Sequence, residues 1–362
     1  MARFKITGLL SMLLLAVAMQ GQAPSSGTYA VGTCKPTLPS YATISAALAA
    51  VPPPVTVQVC PGTYPEQVVI TQPVTLEGIT SGGSGEIIVT VPSGGLTFST
   101  TGAGGDFAAQ LWVNNVTGTV NVSDITFDAT GSLIQLVSVA GIYYENSSGT
   151  VKHVTTRNQA DGFGDGVGIT VEGGASNPTV TIENSQFYNF DGSGIWLETD
   201  GAISSQLNAT VKLNSVTGGN GSSSLTGFAI AVDVGSTATV TDNWVTGAFD
   251  GIFSLGDGTI SSNVLVGNYN GIYSESGATV SSNKIVSSKV SGIVLHSSTG
   301  AIRSNTIMGG DAGIDFECTS NASVGSNTIN NVGVALSFIP DSTATTNSYY
   351  NVGTIRSSVG CP

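Results

Sequence analysis

The chain has 362 residues, only 9% of them charged, yet 23 acidic against 10 basic side chains leave a formal charge of −13. Such a surface excludes nucleic acid and anionic membranes as partners. With 48 glycines among abundant Ser, Thr, Asn and Val, the composition is one of strands and turns rather than helices.

The first residues read as an export signal: Arg3 and Lys5 precede an apolar run from Leu9 to Ala18, with small residues at Gly21 and Ala23. Cleavage is expected near Ala23, with Ala18 as the alternative, so residues 1–23 are set apart from the fold. No later run is long and apolar enough to insert in a bilayer. A secreted, periplasmic or cell-surface monomer is expected.

Four cysteines lie in two pairs at the ends of the mature chain, Cys34 with Cys60 and Cys318 with Cys361. In an exported protein this arrangement favours two local disulfides. The two histidines, His153 and His296, are far from both pairs in sequence, which argues against zinc.

Two phrases recur from there on. The first is an apolar residue followed three positions later by Asn: Val211 with Asn214, Val240 with Asn243, Ile260 with Asn263, Val280 with Asn283, Ile302 with Asn305 and Val324 with Asn327. From Val240 these starts are 20, 20, 22 and 22 residues apart, and earlier starts at Val120, Val151, Val180, Val211 and Val240 are 31, 29, 31 and 29 apart. The second phrase is Gly-Ile, at Ile142, Ile169, Ile195, Ile252, Ile272, Ile293 and Ile314, with Ala229-Ile230 and Gly333-Val334 in the remaining places. Units this short cannot enclose a core alone, so they must stack and share one apolar column. Asn at one fixed turn position then forms a hydrogen-bonded ladder between coils, a structural role.

On these repeats and on Tyr41-Ala42-Thr43-Ile44, Cys60-Pro61-Gly62-Thr63-Tyr64 and Val74-Thr75-Leu76-Glu77-Gly78, the chain resembles right-handed parallel β-helix repeat proteins of the pectin-lyase-like superfamily, over about residues 40 to 345. The resemblance implies an all-β solenoid whose first coil is covered by a short helix at 43–51. The division expected is an N-terminal segment and capping helix at 24–54, the β-helix at 55–340 and a C-terminal cap at 341–362. It also implies an active site on one sheet and its adjoining turns, although the sequence lacks the Gly-His-Gly, Asn-Thr-Asp and Asp-Asp signatures of polygalacturonases.

If each Gly-Ile isoleucine points inward, alternation turns two columns outward. One is Tyr143, Thr170, Trp196, Ala231, Phe253, Tyr273, Val294 and Asp315. The other is Glu145, Glu172, Glu198, Asp233, Leu255, Glu275, His296 and Glu317. Stacked carboxylates at coil spacing repel one another, so a ligand, a cation or catalysis favours them, the alternative being a solvated acidic face that keeps an exposed sheet soluble. Four long connections, 128–140, 156–167, 199–210 and 217–228, should wall the early part of this stripe.

Glu198, with Glu172 or Asp233, is therefore the expected catalytic pair of a glycoside hydrolase. Tyr143, Glu145, Trp196, Asp165, Asp191 and Arg157 are the expected substrate-binding residues, and Asp161 lies on an entering turn. Lys152 and Lys212 belong to another sheet, and His153 is expected to point inward. A lyase is disfavoured for want of cationic groups, unless calcium binds the acidic column. A non-catalytic surface or matrix protein that binds glycan or calcium, or serves only as a rigid spacer, is the other reading.

Overall fold

The computed structural model describes residues 27–358, apart from 51, 54, 81–84, 132–136, 161–163, 203, 219–226, 318–319 and 339–342. The expected signal segment, Asp161 and the Cys318–Cys361 pair lie outside the described residues. Three long parallel sheets, here A, B and C, run the length of the molecule, with 14, 12 and 13 strands on their paths. The chain visits A, B and C in turn and then begins the next coil. The chain is thus an all-β parallel β-helix, and Ile44–Ala50 forms its capping helix.

Period-two alternation explains the interior. Ile142, Ile169, Ile195, Ile230, Ile252, Ile272, Ile293 and Ile314 stack in register along sheet C and are fully buried. The last place differs from expectation: Ile314 pairs with Leu336, while Val334 pairs with Ala312. Similarly, Val122, Val151, Ile182, Val211 and Val240 share one column of sheet A, so Val120 and Val180 stand two residues ahead of that register. The three sheets also continue beyond residue 340, through Thr343–Thr345, Ser348–Tyr350 and Thr354–Ser358, where a separate cap is expected.

The asparagine ladder forms as expected and extends by one step. Asn214, Asn243, Asn263, Asn283, Asn305, Asn327 and Asn347 pass side-chain hydrogen bonds of 2.9–3.0 Å from coil to coil. Each interior amide also takes up a backbone N–H and gives one to a carbonyl, as Asn263 does with Asn243 N and Val240 O. Groups buried at a turn would otherwise be left unpaired, at about 1–3 kcal/mol each. The residue before each ladder asparagine is left-handed, with φ of +54 to +59° at Leu213, Asp242, Ser262, Ser282, Ser304, Ser326 and Thr346.

His153 occupies the same turn position at φ +51°. It therefore projects outward beside Asp124, half exposed, rather than inward as expected. Cys34 and Cys60 form the expected N-terminal disulfide. Lys152 and Lys212 lie on sheet A and both pair with Glu183.

Candidate active site

The two outward columns of sheet C stand in the register expected. Tyr143, Thr170, Trp196, Ala231, Phe253, Tyr273, Val294 and Asp315 are successive partners. Glu145, Glu172 and Glu198 are likewise paired, strand by strand. Asp233 lies one residue past its strand, where it accepts the Val234 N–H.

Exposure differs from expectation. In the early coils this face is covered: Tyr143 is fully buried, and Glu172 and Glu198 are 6% and 1% exposed. The cover is a feature that the sequence reading missed: the strand Thr100–Gly102 pairs antiparallel with Gly105–Asn114, itself a rung of sheet C, and with the turn between them folds over the outer face of the sheet. Its signal is the run Thr101-Gly102-Ala103-Gly104-Gly105-Asp106, a glycine-rich turn of hairpin type. Thr101 Oγ1 donates to Asp106 Oδ1 at 2.6 Å across it.

The glycines are required by contact. A Cβ on Gly102 would stand 2.2 Å from the Tyr143 hydroxyl and 2.6 Å from Glu172 Oε2, and one on Gly104 would stand 2.6 Å from the Trp196 ring. Beneath the hairpin, Phe107, Ala109, Ala140, Tyr143 and Val167 make a small second core outside the sheet, with Trp112 and Trp196 at its edge. Phe107 meets Tyr143 at 5.0 Å and Trp196 edge-on at 6.4 Å.

Two carboxyl groups are enclosed there. The Tyr143 hydroxyl donates to Glu172 Oε2 at 2.9 Å and lies 3.5 Å from Glu198 Oε1. Ala103 N–H reaches Glu172 Oε2 at 3.2 Å. Glu198 Oε2 is buried with no hydrogen-bond partner. Burial, then the neighbouring charges of Glu172 and Asp233, push the Glu198 carboxyl up to about 8, against the opposing Gly104 N–H and Tyr143 hydroxyl. Burial also raises Glu172, with the Tyr143 and Ala103 hydrogen bonds working the other way. At neutral pH the cluster thus holds a proton on Glu198 beside a second carboxyl and a phenol. That is a donor, an acceptor and an orienting group within one hydrogen-bonded set.

The other expected site residues are distributed around this cluster. Glu145 sits at its N-terminal edge, taking the Trp112 indole N–H at 2.9 Å and an Asn115 amide at 2.9 Å. Trp196 is half-buried at the rim. Asp191 accepts the Gly166 N–H at 2.8 Å and orders the turn entering the strand, and Asp165 is exposed on the neighbouring turn. Arg157 is not brought to the site: it lies on sheet B, bound to Asp128 at 2.7 Å and near Glu86 and Tyr188. Among the described residues, no group of three or more His, Cys, Asp or Glu side chains is arranged to hold a metal ion.

A family model described as right-handed beta helix region matches residues 140–307. A comparison with curated proteins finds no match. Among solved structures, the A-module of mannuronan C-5 epimerase AlgE4 from Azotobacter vinelandii superposes with a TM-score of 0.53 at 14% identity, over 88% of this chain and 92% of that one. A mutant of the periplasmic alginate epimerase AlgG gives 0.54 at 13% identity, over 83% and 73%. GH136 lacto-N-biosidase from Eubacterium ramulus gives 0.60 at 9% identity, over 90% and 68%. Likenesses at such identities show a shared fold.

Proposed function

We propose that this right-handed parallel β-helix repeat protein, of pectin-lyase-like architecture, is an exported glycan-active enzyme that cleaves a glycosidic bond at the Tyr143–Glu172–Glu198 cluster. The observation that carries the reading is the pair of buried carboxyls, Glu172 and Glu198, that share the Tyr143 hydroxyl beneath the hairpin tip, where burial pushes Glu198 up to about 8. The names of the structural neighbours, a mannuronan C-5 epimerase, an alginate epimerase and a lacto-N-biosidase, supply the substrate class by analogy. The Cys34–Cys60 disulfide and the apolar run behind Arg3 and Lys5 suit an exported protein.

In this reading Glu198 donates its proton to the departing glycosidic oxygen, and Glu172 acts from the adjacent coil. Coils ~4.8 Å apart favour the short carboxyl separation, ~5 Å, at which the second group attacks the sugar directly. The Tyr143 hydroxyl orients Glu172 while that group is charged. Substrate reaches the pair when the hairpin tip at Gly102–Gly105 lifts. The attack forms a glycosyl ester on Glu172 as the leaving alcohol takes the Glu198 proton, and a water that Glu198 then deprotonates hydrolyses the ester and restores both carboxyls. Arg157, held on sheet B by Asp128, is left out of the site, and the two outward columns carry no Lys or Arg. A lyase acting on an anionic sugar is therefore the weaker assignment.

The same burial favours a second reading, in which the carboxyls only seat the hairpin and the protein binds or spaces without turnover. The test is a product screen of the mature protein against plant, algal and bacterial polysaccharides, with and without calcium, repeated with Glu198→Gln. Turnover lost in the variant supports the assignment. Equal yield from the variant rejects it.

A further inference from the structure

Beyond the covered cluster, sheet C opens into a groove of about 430 Å³ lined by residues from Phe228 to Glu317. Two aromatic stacks form its walls. Phe228, Phe253 and Tyr273 stack at 4.4 and 5.2 Å on the outward face, and Phe249 and Tyr269 stack at 4.7 Å on the turn between sheets B and C. Rings stacked along the coil axis cover one another's faces, so within a stack only edges meet solvent.

Both stacks end at the same coil. The position after Tyr273 is Val294, and Asn270 is followed by Ser291, which puts Val290 after Tyr269. Neither valine can continue a stack. Past Tyr273 a near-parallel His296 ring follows at the wider spacing of 6.3 Å. The walls therefore step down, and two tyrosine rings overlook a shelf of Val290 and Val294.

Polar groups converge on this shelf. Asp250 is buried and accepts an Asn270 amide at 2.9 Å, and the fully buried Ser291 carries a hydroxyl oxygen with no partner. Asp315 and Glu317 close the far side. No Lys or Arg lines the groove, and Lys289, next to Val290 in the sequence, is exposed.

We propose that this shelf is a second glycan-binding site, separate from the acid pair, that takes a sugar segment bearing no negative charge. Tyrosine faces accept the apolar face of a sugar ring, and Asp250, Asp315, Glu317 and Ser291 take its hydroxyls. A uronate would bring its carboxylate against Asp250 and Asp315 with no Lys or Arg on the lining to offset them, His296 being already paired with Glu317. The inference rests on the glycan-directed reading of the protein but not on Glu172 or Glu198.

Calorimetric titration with cellohexaose, chitohexaose and an oligomannuronate hexamer tests it. The two uncharged oligomers separate a preference for hydroxyl from one for acetamido groups, and binding of either supports the site. Tyr269→Ala or Tyr273→Ala should weaken that binding about tenfold. Asp315→Asn, which keeps the ring faces, should weaken it less, and Glu198→Gln should leave it unchanged. Binding of neither uncharged oligomer, equal or tighter binding of the oligomannuronate, or unaltered affinity in folded tyrosine variants would overturn the proposal. Affinity lost in Glu198→Gln alone would place the ligand at the acid pair instead.

Discussion

Two stretches of one sheet, built from the same repeat, reach opposite solutions for their outward side chains. In the early coils the strand Thr100–Gly102 and the turn into Gly105 roof the face, so Glu172 and Glu198 leave water and burial pushes both carboxyls up, Glu198 to about 8. In the later coils the face stays open, Glu275 and Glu317 flank His296 at 3.8 and 2.7 Å, and rings cover one another instead of being covered by chain. A column of acids in register is thus not one kind of site. What lies over it decides its chemistry.

The largest expected effect distinguishes the two stretches by turnover. Glu198→Gln should lower kcat on the natural glycan by about 10²–10⁴-fold, whereas Phe253→Ala should leave the chemical step intact. Steady-state kinetics on both variants reads this directly.

The pH dependence of stability is the next contrast. Between its ordinary value of 4.5 and about 8, Glu198 keeps in the folded chain a proton that the unfolded chain releases. Stability should therefore fall as pH rises through that window. Asp250, raised by burial to about 6, adds a narrower loss of the same sign in the open stretch. Asp128 works oppositely. Burial raises it, but hydrogen bonds from Thr130, Asn158 and Arg157 prevail and hold it at about 2, so its contribution is lost only as pH falls toward that value. The melting temperature should peak in mildly acidic solution and decline toward pH 8. Glu198→Gln should remove most of that decline, and Asp250→Asn a smaller part.

Smaller effects test the roof and the stack. Gly102→Leu would drive a side chain into Tyr143 and Glu172 and should destabilise the fold by about 1–3 kcal/mol. It should also return Glu198 toward an ordinary carboxyl, since water enters. Denaturant titration and carboxyl titration together separate these outcomes. Phe253→Ala breaks a stack between Phe228 and Tyr273 and should cost about 1 kcal/mol without moving Glu198.

The sequence carried the solenoid clearly because the repeats enforce it twice. An isoleucine column and an asparagine ladder each fail unless every coil returns to the same place. The outward register of Tyr143, Trp196, Glu172 and Glu198 followed from the same periodicity. Covering did not follow, since the strand Thr100–Gly102 lies off the coil path and pairs antiparallel with a rung of sheet C, which the repeat spacing does not register. The reach of Arg157 was equally invisible, because closeness in sequence to the stripe does not reveal that its strand belongs to sheet B. His153 was misdirected for a local reason: a left-handed turn residue interrupts alternation, so strand parity cannot be counted through it.

Carboxyl-selective NMR titration of the folded protein, compared with Glu198→Gln, tests the central claim most directly. The account predicts one carboxyl that releases its proton near pH 8 and is missing from the variant. If every carboxyl, Glu198 included, titrates in the ordinary acidic range, the covered pair holds no proton to donate and the proposed chemistry is contradicted.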